Sequence, residues 1–395
     1  MPFGTHFFRR RDVVVPCEGE RHKVRLAGGL RFLSRARCPT CRAPVDPTRV
    51  RRLVRWAANL GRPISEHWLD VSLWGLSLGA LVLSALLAVL FWRLADRLWP
   101  ASVFLFGPRW VLLAPIPLLM LAAAIRDRAL LIPLAAAGLL ILGPIMGFQT
   151  GWRTLAPTSE SGRRITVATF NLRSGDDVTL GPQALMERWD ADVAVFQECG
   201  FRFAQAIRAL ERWDVWTGQT QCLVSGLPLL ETRVMDREVI ARAGGSGLVV
   251  SHQLQGRDGP FWITNVHLDT PRTGLSLILR GSVVEGIRIL RRDSFLREIE
   301  HRQARAFAVE EQGPHIVLGD FNTPAESRIY RGEWRGWTNA FSVAGFGLGG
   351  TRLNGWFRVR IDHVMVDDSW EVLDARLGED VGSDHLPLVA TIGRR

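Results

Sequence analysis

The chain has 395 residues, 47 % hydrophobic and 22 % charged, with a formal net charge of +10. Such an apolar share excludes a disordered chain, and the length leaves room for more than one folded unit. The charge is local: the first 70 residues carry fifteen Arg or Lys against six acids, while the last 230 or so carry slightly more acids than bases. The overall charge is therefore no signature of nucleic-acid binding.

Residues 1–60 form a basic segment that contains Cys38-Pro39-Thr40-Cys41, preceded by Cys17 and His22. A C-P-x-C knuckle has the spacing of one half of a zinc ribbon, and Cys17 with His22 would supply the other half around a structural Zn²⁺. The second knuckle is irregular, because Cys17-Glu18-Gly19-Glu20 lacks the partner cysteine. A redox dithiol and a disordered basic tail stay open as alternatives.

Residues 70–149 read as three transmembrane helices. Val71 to Trp92 is an uncharged run of 22 residues, enough to cross about 30 Å of hydrocarbon. Ala129 to Phe148 is a second uncharged run, of 20 residues. Between them Trp110 to Ile125 is short at 16 residues. Extension through Ala101 to Phe106 gives a span over 101–125, with Arg109 reaching towards the interface. The arginines at 49, 51, 52, 55 and 62 place the N-terminus in the cytoplasm by the positive-inside tendency. Three crossings then put the C-terminal part on the far side, although Arg93, Arg97 and Arg109 run against the tendency. Residues 150–162, with Pro157 and two serines, read as a linker.

From residue 163 onward the pattern changes to short apolar runs that each end in polar residues. Ile165–Phe170 ends in Asn171, Val193–Phe196 in Gln197-Glu198, and Phe261–Val266 in His267. His315–Leu318 ends in Gly319-Asp320-Phe321-Asn322. Asp362-His363 opens the run Val364–Val366, and Ser383-Asp384-His385 precedes Leu386–Ala390. Runs of this length and composition are strands, so their polar ends should meet at one sheet edge. Taken singly, Asn171 or Asp320 is an ordinary turn former, and His267 or His363 an ordinary structural histidine. The joint pattern points to a site. Between His267 and His315, Arg297 to Val309 reads as a helix. The stretch before it, Gly274 to Leu290, reads either as a packed helix-and-turn elaboration or as an enlarged loop facing the membrane or the substrate.

This ordered set of strand-end motifs, over roughly Arg163 to Ile392, resembles the endonuclease/exonuclease/phosphatase superfamily, the deoxyribonuclease-I-like fold. The resemblance implies an α/β fold, a two-sheet sandwich with helices outside, and metal-dependent hydrolysis of phosphoesters. It makes Glu198 the principal ligand of Mg²⁺ or Mn²⁺, with Asn171 and Asp384 close to the same ion. It makes Asp320 the group that orients or deprotonates the attacking water, and Asn322 a holder of phosphate or nucleophile. Asp362 and His385 form its carboxylate–imidazole dyad, with His385 as base or transition-state stabiliser, and His267 contacts phosphate or donates a proton. Cys199, next to Glu198, has no nucleophilic role in this chemistry; outside the cytoplasm it could pair with Cys222. The substrate stays open among phospholipid head groups, small phosphoesters and nucleic acid. A tethered nuclease and a catalytically silent binding protein of the same fold are the alternatives. The bilayer is the expected partner, and nothing in the sequence points to a protein partner.

Overall fold

The computed structural model describes residues 11–17, 20–26, 64–152 and 164–395, with side chains from residue 68 onward. Cys38 and Cys41 lie outside the described residues. Cys17 and His22 fall on the two strands of a hairpin, Arg11–Cys17 and Glu20–Leu26, where the register sets Cys17 opposite Glu20 and His22 opposite Val15.

Twelve strands make two six-stranded sheets. In chain order they are β1 Arg164–Ser174, β2 Val193–Cys199, β3 Asp214–Gly218, β4 Gln221–Ser225, β5 Leu229–Val234, β6 Leu248–Gly256, β7 Gly259–His267, β8 His315–Asp320, β9 Thr338–Asn339, β10 Asp362–Val366, β11 Trp370–Leu377 and β12 Leu388–Arg394. One sheet has the order β11-β12-β1-β2-β4-β3, the other β9-β10-β8-β7-β6-β5. Each has one parallel pair at its centre, β1 with β2 and β7 with β8, among antiparallel neighbours. The inward faces meet in an apolar core that includes Val167, Val195, Leu223, Ile263, Leu318 and Val364. Helices Pro182–Trp189 and Phe201–Arg208 cover one outer face. The C-terminal half of helix Val283–Ala308 covers the other. The architecture is thus the expected two-sheet α/β sandwich.

Gly319 shows why the run before Asp320 ends as it does. It lies opposite Val266 in the parallel pairing, at φ +146°, and a Cβ there would sit 1.9 Å from the Val266 carbonyl oxygen. Only glycine allows β7 and β8 to approach so closely while delivering His267 and Asp320 side by side. Gly319→Ala is expected to cost about 3 kcal/mol or more of stability, which a thermal unfolding curve would register as a lowered Tm.

Among the described residues, three helical stretches are long and apolar enough to cross a membrane: Trp68–Leu94, Arg109–Arg126 and Arg128–Ile145. The first belongs to one continuous helix, Ile64–Leu94. The expected second span over 101–125 is corrected. A separate short helix, Trp99–Leu105, ends before Gly107-Pro108, and a 3₁₀ turn at Arg109–Leu112 leads into helix Pro115–Arg126. Pro108 supplies no N–H and disfavours helix at Gly107, which accounts for the break. Arg109 does not reach for solvent either: it donates to the Ile145 carbonyl at 2.7 Å and to Glu326 at 2.9 Å.

The region Gly274 to Leu290 is two packed helices, Arg272–Leu279 and Val283–Ala308, and not an enlarged loop. Gly274 and Gly286 explain the tight packing. A Cβ on Gly274 would meet the Leu290 backbone nitrogen at 2.7 Å, and one on Gly286 would meet Ile278 at 2.6 Å.

The sandwich packs against one end of the helical region. The buried Arg297 guanidinium lies 3.5 Å from the buried Asp96, which also accepts from Ser327 Oγ and the Arg328 N–H. Arg331 donates to the Trp92 carbonyl at 2.6 Å and stacks over that indole. Burial pushes the Glu326 carboxyl up, but the Arg109 and Arg360 guanidiniums hold it below its ordinary range. The end of the first apolar stretch, the start of the second and the end of the third therefore all face the sandwich. At the opposite end Arg126 lies 3.6 Å from Asp70.

Candidate active site

The carboxyl ends of the two parallel pairs open on the same edge of the sandwich, which is where polar strand-end residues can meet. β1 delivers Asn171, β2 Glu198, β7 His267 and β8 Asp320. β10 runs antiparallel to β8 and begins with Asp362 directly opposite Asp320. The segment entering β12 supplies His385.

Asp320 is the hub. Its Oδ2 accepts from Asn171 Nδ2 at 3.0 Å, and its Oδ1 accepts from the Asn322 backbone N–H at 2.8 Å. Asn322 sits at φ +46° and donates its amide to the Leu268 carbonyl at 2.7 Å. His385 Nε2 lies 3.8 Å from Asp320 Oδ2, and His267 Nε2 lies 4.0 Å from it. Burial pushes the Asp320 carboxyl up, as does the Asp362 charge, while the two imidazoles and the Asn322 N–H pull it down. The direction we stand behind is upward, because the residue is almost wholly enclosed.

His385 Nδ1 donates to Asp362 Oδ2 at 2.9 Å, which leaves Nε2 towards Asp320. Burial alone would lower the imidazole pKa. The Asp362 carboxylate, its hydrogen bond and the Asp320 charge outweigh this and raise it to about 9. The ring is therefore protonated at neutral pH in the resting protein. Asp362 in turn receives its backbone support from Thr351, whose Oγ1 accepts from the Ile361 and Asp362 N–H groups at 3.2 Å. His363, one residue on, points to the other face. Its Nε2 donates to the Thr323 carbonyl and its Nδ1 accepts from Asn339, and burial lowers it to about 4. It is a neutral structural histidine.

Glu198 differs from these groups in being half-exposed, with a side chain 44 % accessible. Its backbone is left-handed at φ +48°, a conformation that non-glycine residues hold at some cost and that clusters at functional positions. Its Oε1 accepts from Asn171 Nδ2 at 3.1 Å and lies 3.7 Å from His267 Nε2. Among the described residues Asp320, Asp362 and His385 also bring three donor atoms within 4.8 Å of one another. Those three are enclosed, and His385 Nδ1 is already committed to Asp362. A hard cation that keeps several waters needs oxygen donors and open space, which Glu198 offers and the enclosed trio does not. The Glu198 carboxylate thus fits a divalent cation, while Asn171 beside it turns Nδ2 to Glu198 and accepts the Arg173 N–H on Oδ1.

Asp384 does not join this cluster. Its carboxylate accepts from Arg352 at 2.8 Å, with Arg272 3.9 Å away. Burial pushes it up, but the Arg352 hydrogen bond and charge, with His385 and Arg173, hold it below its ordinary range. The cause is the hairpin Arg352–Asn354 and Phe357–Val359, which bridges to His385 and carries Arg352 alongside. Sequence reasoning missed Arg352, Thr351 and Ser383. Ser383 Oγ donates to the Asn171 carbonyl at 2.8 Å and accepts from the His385 N–H, tying the two sides of the site together. It also missed the buried bridge between the sheets, in which Gln197 donates to Asn265 Oδ1 at 2.7 Å and to Thr169. Cys199, beside Glu198, is disulfide-bonded to Cys222.

The model of the endonuclease/exonuclease/phosphatase family matches residues 168–385, more than half of the chain. No curated protein matches the sequence. Among solved structures, an endonuclease/exonuclease/phosphatase from Beutenbergia cavernae is similar at 15 % identity and TM-score 0.43, covering 59 % of this chain and 72 % of its own. A humanised D. rerio TDP2 is similar at 15 % identity and TM-score 0.45, covering 58 % and 98 %. A mannosyl-6-phosphatase from Bacteroides thetaiotaomicron is similar at 16 % identity and TM-score 0.39, covering 58 % and 99 %. Likeness this distant says nothing of substrate. With the family model spanning the sandwich from β1 to His385, the chain belongs to the endonuclease/exonuclease/phosphatase family.

Proposed function

We propose that the chain is a membrane-anchored, divalent-cation-dependent phosphoesterase. The observation that carries the reading is the convergence on Asp320: Asn171, Asn322, His385 and His267 all lie within 4.0 Å of its carboxylate, and Asp362 backs His385. Glu198, with Asn171 beside it, would hold the cation, which when bound neutralises phosphate charge. Asp320 takes a proton from the attacking water. The water oxygen bonds to phosphorus as the ester P–O bond breaks. The protonated His385, kept charged by Asp362, stabilises the charge that builds on the phosphorane oxygens, and Asn322 orients a phosphate oxygen or the water. His267 stands between Glu198 and Asp320, placed to donate to phosphate.

The two titrating groups set opposite limits. Activity needs Asp320 deprotonated, so it falls as pH drops through a value above the ordinary carboxylate range, because burial raises that pKa. It also needs His385 protonated, so it falls as pH rises through about 9. A bell-shaped kcat profile on p-nitrophenyl phosphate esters, mono- and diester, is the expected result. No turnover of either ester across the whole range would leave a silent binding protein of the same fold.

Membrane placement rests on the three apolar stretches, whose outward faces expose Leu76, Leu86, Leu118, Ile125 and Ile132. The arrangement of helix ends fits three alternating crossings. The basic segment before them supports a cytoplasmic N-terminus, and the Cys199–Cys222 disulfide supports an oxidising, extracytoplasmic setting for the sandwich. A reporter fused after Arg395 is expected outside the cytoplasm and one at Met1 inside; a cytoplasmic signal at Arg395 overturns this topology.

A further inference from the structure

A cavity of about 320 Å³ runs from the catalytic edge to the helical region. Ligand pockets of small molecules start at about 300 Å³. One end is polar and belongs to the site: Asn322, and Arg352 beside Asp384. The walls are apolar, with Phe106, Leu275 and Ile361 among them. Phe106 comes from the end of the short helix Trp99–Leu105 in the helical region. Leu275 and Ile361 come from the sandwich, yet they pack in the same apolar cluster as Leu105, Ile116 and Ile141 of the apolar helices. The wall is therefore continuous with the apolar interior of the helical region.

The rim has the composition of a bilayer interface. Leu279, 80 % exposed, lines the cavity beside the exposed Arg280, and Val284, 85 % exposed, lies in the first turn of the helix that follows. Trp356, at the tip of the Arg352–Val359 hairpin, meets Trp110 edge-on at 5.1 Å, in the first turn of the second apolar stretch. Tryptophan and arginine at this level are the side chains that sit between water and acyl chains. A small soluble phosphoester would use the arginines and leave the apolar wall empty. Duplex nucleic acid would need a row of cations, and the sandwich has no basic excess to build one.

We propose that the substrate is an amphiphilic phosphoester drawn from the bilayer, its hydrocarbon chain lying in this cavity and its phosphate at Asp320 and His385, a proposal that rests on the phosphoesterase reading. The bonds balance as ordinary hydrolysis: water oxygen joins phosphorus, one P–O ester bond breaks, the water proton passes to Asp320, and that proton is passed on to the departing oxygen, which leaves as an alcohol.

The test uses the full chain in detergent micelles with two chromogenic diesters that share one scissile bond, hexadecyl and methyl p-nitrophenyl phosphate. The expected kcat/KM ratio favours the hexadecyl ester by about tenfold or more, the scale on which apolar pockets discriminate. Leu279→Asp and Leu275→Gln are expected to lower that ratio by about tenfold, with the larger part of the change in KM. Leu279 is exposed, so its substitution does not threaten the fold. A ratio near one in the unaltered chain overturns the proposal while methyl ester turnover keeps the phosphoesterase reading. A high ratio that both variants preserve also overturns it, since sharing a micelle with the substrate would then explain the preference. Turnover of neither ester overturns the reading and the proposal together.

Discussion

Replacing Asp320 by asparagine is expected to lower kcat by about 10²–10⁴-fold while the chain stays folded, the usual scale for a positioned acid or base. The shape is kept, and one oxygen can still accept from the Asn322 N–H as Asp320 Oδ1 does. What is lost is the proton acceptor. His385→Ala is expected to fall in the same range, because it removes the cation that faces Asp320 Oδ2 and leaves Asp362 enclosed without its partner. Combining the two should cost far less than the product of the separate losses, since both groups serve one proton-transfer and charge-stabilisation step. Losses that multiply in single-turnover kinetics would show instead that the residues act in separate steps. Asp362→Asn supplies an internal check: it keeps the imidazole packed but removes the charge that raises its pKa. Its high-pH limb should move down from about 9.

Glu198→Gln should lower kcat by about 10³-fold, which corresponds to about 4 kcal/mol of lost charge stabilisation. The fold should survive. The side chain is half-exposed, its neighbours are Asn171 and His267, and the left-handed backbone at this position does not depend on the carboxylate. The same substitution should weaken Mn²⁺ binding measured by calorimetry, a readout independent of turnover. If binding to Glu198→Gln matched the unaltered chain, the cation would have to sit elsewhere, and the enclosed trio of Asp320, Asp362 and His385 would become its holder.

Much of the sandwich was legible in the sequence because its central strands are enclosed on both faces and therefore read as uninterrupted apolar runs. Val193–Phe196 and His315–Leu318 are such runs, and the polar residues closing them, Glu198 and Asp320, meet at the same sheet edge. Asn171, His267 and Asp362 were legible for the same reason. Arg352 was not, because its short hairpin carries no long apolar run and its bridge to His385 spans 33 positions. Thr351, Ser383 and the Gln197–Asn265 bridge are short polar side chains whose value lies wholly in long-range partners. The same omission hid the partner of Asp384, whose carboxylate accepts from Arg352. In the helical region hydropathy alone joined Ala101–Phe106 to the second span, whereas Gly107-Pro108 divides them. In the stretch before Arg297 the packed helix-and-turn reading holds, and the arginines that suggested a loop lie on the solvent face of helix Val283–Ala308.

The most direct test of the account is turnover of bis(p-nitrophenyl) phosphate by the full chain, measured as purified, after chelation, and after Mg²⁺ or Mn²⁺ is restored, with Asp320→Asn prepared in parallel. The account predicts turnover that disappears on chelation, returns with either cation, and is almost absent from the variant throughout. Undiminished turnover in chelator, or equal turnover by Asp320→Asn, would contradict it.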